Sequence, residues 1–363
     1  MAQEERSRCS RWSCGTSHRR CSATQRLCVS AAGSGSDQTP LRVLLTGASS
    51  GACRSAPQRP VCATTTSVLC LCPFTHAPFD AAFFSPPGLG AALLASLTAP
   101  QGPNGSTGFG LPASVTCVTR YGDIHSATLR SSGAAEVIQA DLAHGDSVSL
   151  LSSCLRAQRY DAVVHLAGGS PEMGCSCAEP ELAQHLLAAL ASADGTASRV
   201  VTALASADGT ASSSSPLVIY VSALGVDSTA DCLPGQSVEV LRPWLTQKER
   251  AETILRLTST PSDIIILRPG PLTDAAPSKT SVLAKPDDAA SAKVYSPISR
   301  GDLAALISAL CCEHKRGGGA LKGELQGKTT WAVLDAAGVV ISNPYMRRLE
   351  AWESLPFEAV TVG

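Results

Sequence analysis

The segment Thr46-Gly47-Ala48-Ser49-Ser50-Gly51 follows directly on the apolar run Leu41-Arg42-Val43-Leu44-Leu45. A short strand that ends in a glycine-rich turn leaves bare backbone N–H groups at the C-terminal edge of a sheet. With the N-terminus of a following helix, those groups bind a pyrophosphate. Here the helix does not follow at once. Residues 52–88 intervene, with Pro57, Pro60, Pro73, Pro78, Pro86 and Pro87 and a local excess of cysteine. Only then comes Leu89-Gly90-Ala91-Ala92-Leu93-Leu94-Ala95-Ser96-Leu97, a good helix former. Excising 52–88 restores TGASSG-LGAALLASL, a continuous TGxxxGxG motif that opens a helix.

Further elements must place this loop. Ser114–Thr119 is expected as a second strand, ending at Arg120. That strand end meets the adenosine ribose of a bound dinucleotide: an acid there accepts from the 2′-OH of NAD, and an arginine pairs with the 2′-phosphate of NADP. Arg120 therefore points to NADP rather than NAD. A third strand, 136–142, ends in Asp141-Leu142, the pair that sits beside adenine in this fold class. A fourth, 160–169, ends in glycines that let a cofactor backbone pass closely. A helix over about 180–193, a fifth strand Leu217–Ser222, a helix from Pro243 to Leu257 and a sixth strand 263–267 follow. Ile298-Ser299-Arg300-Gly301-Asp302 caps a helix through Leu310, and Thr329–Leu334 is a last strand. Strands alternating with helices imply an α/β fold, a doubly wound parallel sheet of Rossmann type with helices on both faces.

Bulk properties narrow the classes. The chain has 363 residues, 44% hydrophobic and 16% charged, with a net charge of −1. Nothing in that balance implies nucleic acid as a partner, and no apolar run reaches the ~18 residues of a direct membrane span. The 15 cysteines concentrate early, and a long α/β chain does not depend on disulfides. Cys70-Leu71-Cys72 and Cys175-Ser176-Cys177 lack a second ligand pair at zinc-like spacing, so no metal is assigned. Residues 1–40 carry Arg6, Arg8, Arg11, Arg19, Arg20 and Arg26 among Ser, Thr and Ala with few acids. That is the composition of a transit peptide on a disordered leader; a plastid is the expected address, with mitochondrion or cytoplasm as alternatives. The organisation is then leader 1–40, nucleotide-binding domain 41–340 and C-terminal extension 341–363. The domain carries the insert at 52–88 and a low-complexity duplication at 189–215, where ALASADGTAS occurs at 189–198 and 203–212.

The segments LRVLLTGASSG, VTCVTR, VIQADL, DAVVHLAGG, VIYVSALG, QKERAE, IIILRPGPL and ISRGDLAAL together resemble the atypical short-chain dehydrogenase/reductase group with NmrA-like members. They run in the family's order from Leu41 to about Leu334. The resemblance implies that Gly47, Ser49, Ser50 and Gly90 line the pyrophosphate, with Ala48, Gly51 and Leu89 beside them. It places Arg120 at the 2′-phosphate, Asp141 and Leu142 at adenine, Leu166, Ala167 and Gly168 at the ribose, and Pro269-Gly270-Pro271 beside the nicotinamide.

Reductases of the wider superfamily use a tyrosine as proton donor, a lysine four residues later that binds the nicotinamide ribose, and a serine that orients the carbonyl. Ser222 and Lys248 stand at the matching places as catalytic candidates, but the tyrosine position is Trp244. An indole N–H supplies no proton at neutral pH. Tyr220 is expected in the core. Two functions follow: an NADP-dependent oxidoreductase acting on a small organic substrate, with solvent or another group as proton source, or a non-catalytic NADP(H)-binding redox sensor or assembly factor in an organellar protein complex. A third outcome is an inactive product of a reading frame that retains the insert.

Two explanations of 52–88 stand: a surface loop, or an intron read through into the chain. Phe83-Phe84-Ser85-Pro86-Pro87-Gly88 is a stretch that pyrimidine-rich codons ending in AG can encode, as at a splice acceptor. On the second explanation, sequencing the transcript finds most messages lacking codons 52–88. A message that retains them in most copies ends that explanation.

Overall fold

The aliphatic runs become strands of one sheet because only a parallel sheet covered on both faces buries every residue of such a run. The computed structural model describes residues 25–27, 39–47, 88–99, 113–120, 122–166, 179–194, 215–233, 235–260, 262–278, 281–317, 326–335, 340–341, 347–348 and 359–362. In chain order the main elements are β1 (Gln25–Leu27), β2 (Leu41–Thr46), α1 (Leu89–Thr98), β3 (Ala113–Thr119), α2 (Gly122–Ser131), β4 (Glu136–Gln139), α3 (Asp146–Ala157), β5 (Ala162–His165), α4 (Glu179–Asp194) and β6 (Leu217–Val221). They continue with α5 (Gly235–Leu257), β7 (Ile264–Pro269), β8 (Leu272–Thr273), β9 (Ser281–Ala284), α6 (Pro286–Ala292), β10 (Val294–Tyr295), β11 (Ile298–Ser299), α7 (Arg300–Lys315) and β12 (Lys328–Asp335). Short strands β13 (Val340–Ile341) and β14 (Arg347–Arg348) precede β15 (Ala359–Val362).

The large sheet runs β1-β15-β9-β12-β7-β6-β5-β2-β3-β4. From β12 to β4 every neighbouring pair is parallel. The order reverses at β2, which pairs with β3 on one side and β5 on the other. This is the doubly wound Rossmann arrangement, whose ligand crevice lies at the reversal, beyond the C-terminal ends of the strands. β9 adds an antiparallel strand beside β12, and β15 pairs antiparallel with β9.

Alternation assigns each face its helices. Val43, Leu45, Val164, Ile219 and Leu267 pack with α1 and α7, while Leu44, Val163, Val218 and Ile266 pack with α3, α4 and α5. A third apolar cluster joins Leu224, Leu233, Leu245 of α5 and Val294 of β10 to Val282 of β9 and Ala332 of β12.

α1 returns the chain to the crevice. Its last residue, Thr98, bonds Ser132 O and lies so close to Gly133 that a Cβ there would sit 2.6 Å from Thr98 Oγ1. Ala135, just beyond, pairs with Val115 near the start of β3. The C-terminus of α1 is therefore at the N-terminal edge of the sheet, and its first turn, Leu89 and Gly90, is at the C-terminal edge with Gly47. Residues 52–87 lie outside the described residues, as do 195–214 of the duplication.

Three sequence expectations are corrected. β4 stops at Gln139, not at Leu142, because the Asp141 side chain accepts from Ala143 N at 3.1 Å and turns the chain. β5 spans only Ala162–His165. α5 begins at Gly235, not at Pro243. A proline inside a helix removes one backbone bond, yet Val238, Leu241 and Trp244 pack against the third cluster, and that burial carries the helix through the proline.

α5 is tied to the sheet by a buried carboxylate. Glu252 accepts from Arg268 Nε at 3.0 Å and Nη2 at 2.7 Å, from Ser222 Oγ at 2.5 Å, and from Arg256. Both Glu252 and Arg268 are buried. Removing one partner of such a pair leaves an uncompensated buried charge. Glu252→Ala is therefore expected to lower the unfolding free energy by about 3–5 kcal/mol in urea titration. A loss below 1 kcal/mol would show that water reaches the pair.

Candidate functional site

The crevice is built where β2 and β5 end side by side. Gly47, the first residue after β2, has φ 80° and donates its N–H to Val118 O at 3.1 Å. That left-handed conformation suits glycine and turns the chain sharply off the strand. Ala48, Ser49, Ser50 and Gly51 lie outside the described residues. Leu89 and Gly90 form the first turn of α1, with Gly88 at the N-cap and no side chain capping it. The first N–H groups of that helix have no intrahelical partner, so this end suits an anion. The Leu89 side chain packs in the core, so only its backbone is available to a ligand.

Arg120 stands at the end of β3 with its side chain more than half exposed. Its Nε lies 2.8 Å from Asp141 Oδ2, and His144 Nε2 lies 3.6 Å from the same oxygen. The structure thus brings together Arg120 and Asp141, which the sequence separates by a helix and a strand. Leu142 is buried in the core below them. Leu166 extends β5 by one bond, donating its N–H to Thr46 O at 3.0 Å. Ala167 and Gly168 lie outside the described residues.

The second half of the crevice carries a buried polar chain. Thr46 Oγ1 and His165 Nδ1 are 2.8 Å apart across the two strand ends. The His165 ring stacks on Tyr220 with centroids 5.6 Å apart. Tyr220 donates its hydroxyl to Glu179 Oε2 at 2.6 Å, and Lys248 Nζ donates to the same oxygen at 3.0 Å and to Val221 O at 3.3 Å. The Lys248 ammonium also lies 4.9 Å from the Trp244 ring centroid and 5.4 Å from that of Tyr220. Trp244, in the position of the usual tyrosine, thus offers an aromatic face to the cation rather than a proton. Lys248 has three donors, and two are used among the described residues.

Ser222 follows β6 and is buried. Its single proton goes to Glu252, so toward a ligand it offers lone pairs only. Pro269 ends β7, and Gly270 is buried with no room for a side chain: a Cβ would meet the Ser296 carbonyl oxygen at 2.0 Å. Gly270 therefore holds the loop against Ser296, whatever else borders it.

Sequence reasoning missed Thr46, His165, Glu179 and Glu252. His165 and Thr46 were visible only as strand-end residues. Glu179 reaches Lys248 over a separation of 69 residues, which no local pattern signals. The described cysteines, Cys117, Cys154, Cys232, Cys311 and Cys312, are free thiols. Burial pushes the Cys117 and Cys232 thiols up to about 12, which keeps them protonated and unreactive. No cluster of three or more metal-ligating side chains occurs among the described residues, and no described helix is long and apolar enough to cross a membrane.

A model of the NAD(P)H-binding family matches residues 112–313. No curated protein matches the chain at a significant level. Among solved structures, an anaerobillin reductase from Escherichia coli is similar at 17% identity, covering 85% of this chain and 100% of that one with a TM-score of 0.48. An oxidoreductase from Lactococcus lactis shares 13% identity over 81% of this chain and 90% of its own, TM-score 0.46. A short-chain dehydrogenase/reductase from Veillonella parvula shares 11% over 83% and 96%, TM-score 0.46.

His165 is fully buried, and burial, with the Lys248 charge second, lowers its pKa from 6.5 to about 3. The unfolded chain therefore binds a proton that the folded chain does not between those two values. The stability this group contributes is complete above pH 6.5 and is lost as the pH falls toward 3. Urea unfolding across that range is expected to show a slope of up to about 1.4 kcal/mol per pH unit from this residue, which His165→Asn removes. Equal slopes in both proteins would assign the acid sensitivity to carboxylates instead.

Proposed function

The chain belongs to the NAD(P)H-binding family, with a nicotinamide cofactor as its ligand, and on that premise we propose that it is an NADPH-dependent oxidoreductase acting on a small organic substrate. The observation that carries the choice of NADP over NAD is the Arg120–Asp141 pair. An acid near the ribose would favour the free 2′-OH of NAD. Here Asp141 is engaged by Arg120 Nε at 2.8 Å, and the guanidinium is held at the strand end where a 2′-phosphate would lie. A planar fork held in place is well suited to bidentate phosphate binding.

The residues present fit such a nucleotide. Gly47 turns at positive φ, the first N–H groups of α1 lack an intrahelical partner, and Lys248 keeps one donor with no partner among the described residues. When bound, the cofactor would supply a hydride. Within this chain, the α1 N-terminus and the Gly47 turn would bind the pyrophosphate. Lys248 would bind the nicotinamide ribose, and Ser222, with its proton on Glu252, would hold the end of β6 rather than donate to a carbonyl. Water or another group would then be the proton source for the product.

Trp244 and the committed Ser222 proton also favour a second reading, a non-catalytic NADP(H) sensor or assembly factor within a protein complex. The Arg- and Ser-rich leader supports a plastid address for either. Steady NADPH oxidation with a quinone, flavin or carbonyl panel, abolished by Lys248→Ala, supports the enzyme; binding without turnover on any of them supports the sensor.

Calorimetry tests the cofactor. The chain is expected to bind NADPH more tightly than NADH, and Arg120→Ala to weaken NADPH by about tenfold or more while leaving NADH unchanged. A preference for NADH in the unmodified chain overturns the assignment to NADP.

A further inference from the structure

Glu179 is the first residue of α4, has no exposed surface, and carries two hydrogen-bond donors on one oxygen, Oε2. Its other oxygen, Oε1, is buried and has no partner among the described residues. A buried carboxylate is strongly unfavourable unless a cation and hydrogen bonds compensate it. The compensating cation is Lys248, whose flexible stem is thereby reduced to one position. The Trp244 and Tyr220 rings flank the ammonium, and Val221 O takes a second N–H. The tether runs between α4 and α5, neighbouring helices on one face of the sheet that follow β5 and β6.

We propose that Glu179 is the positioning residue through which Lys248 recognises the nicotinamide ribose of the bound nucleotide. This rests on the reading of Lys248 given above. With Trp244 in place of tyrosine, the crevice has no phenol at the usual position to share the lysine's work. The fixed carboxylate supplies the orientation instead, and Tyr220 braces that carboxylate from the other side rather than reaching the ligand.

The test is a double-mutant cycle on the full chain, read by calorimetry with two probes. One is NADPH. The other is adenosine 2′,5′-bisphosphate, which keeps the adenosine end and lacks the nicotinamide ribose. Lys248→Ala and Glu179→Gln are each expected to weaken NADPH about tenfold and to leave the bisphosphate unchanged. The double variant is expected to bind NADPH no more weakly than Lys248→Ala alone, because the glutamate acts through the lysine. Glu179→Asp, which keeps the charge but draws it back, is expected to fall between, and it decides the matter if Glu179→Gln does not fold. Equal loss of both probes, or additive losses in the double variant, overturns the proposal by reducing Glu179 to a structural role. If Lys248→Ala weakens NADPH and neither Glu179 variant does, this proposal fails and the reading of Lys248 survives. If the unmodified chain binds neither probe, or Lys248→Ala changes nothing, that reading fails and takes the proposal with it.

Discussion

The Glu252 carboxylate is the point from which the rest of the crevice takes its geometry. It is buried together with Arg268, and it gathers Arg268 from the end of β7, Ser222 from the end of β6 and Arg256 from its own helix. A charge in that position is tolerated only because a guanidinium meets it with two parallel bonds and a hydroxyl adds a third. The consequence is mechanical. Residues four apart lie on one face of a helix, so pinning Glu252 also sets the rotation of α5 at Lys248 and Trp244. Lys248 then meets Glu179 at 3.0 Å, and the two buried carboxylates tie α5 to the ends of β6 and β7 and to the start of α4.

The same network limits the chemistry. A hydroxyl donates one proton at a time, and that of Ser222 goes to Glu252. The residue four before Lys248 is an indole that faces the ammonium. Among the described residues, what remains at the crevice is a cation with one unassigned donor, a neutral buried histidine and the first backbone N–H groups of α1. On the proposed reading, those groups would bind and orient a phosphorylated nucleotide rather than move a proton.

The two faces of the sheet contribute differently. One face, with α1 and α7, is apolar along its length and ends at the Gly47 turn and the first turn of α1. The other, with α3, α4 and α5, carries Thr46, His165 and Tyr220 at its strand ends, and that is where the polar chain forms. The third apolar cluster joins the first half of α5 to β9, β10 and β12.

Local chemistry was enough to read much of this protein. The strands expected at 41–45 and 114–119, the α1 helix and the capped helix start at 298–302 follow from apolar runs, glycine positions and short motifs, all of which act within a turn or two of chain. Membership of the family was legible for the same reason, since its motifs are strings in order. Tertiary structure decided the rest. The continuation of α5 through Pro243 depends on what Val238 and Leu241 pack against. The use of Ser222 depends on Glu252, 30 residues away. The Arg120–Asp141 pair and the Glu179–Lys248 pair exist only because the order of strands brings their ends side by side. A buried charge finds its partner by topology, and spacing along the chain carries no trace of which partner that is.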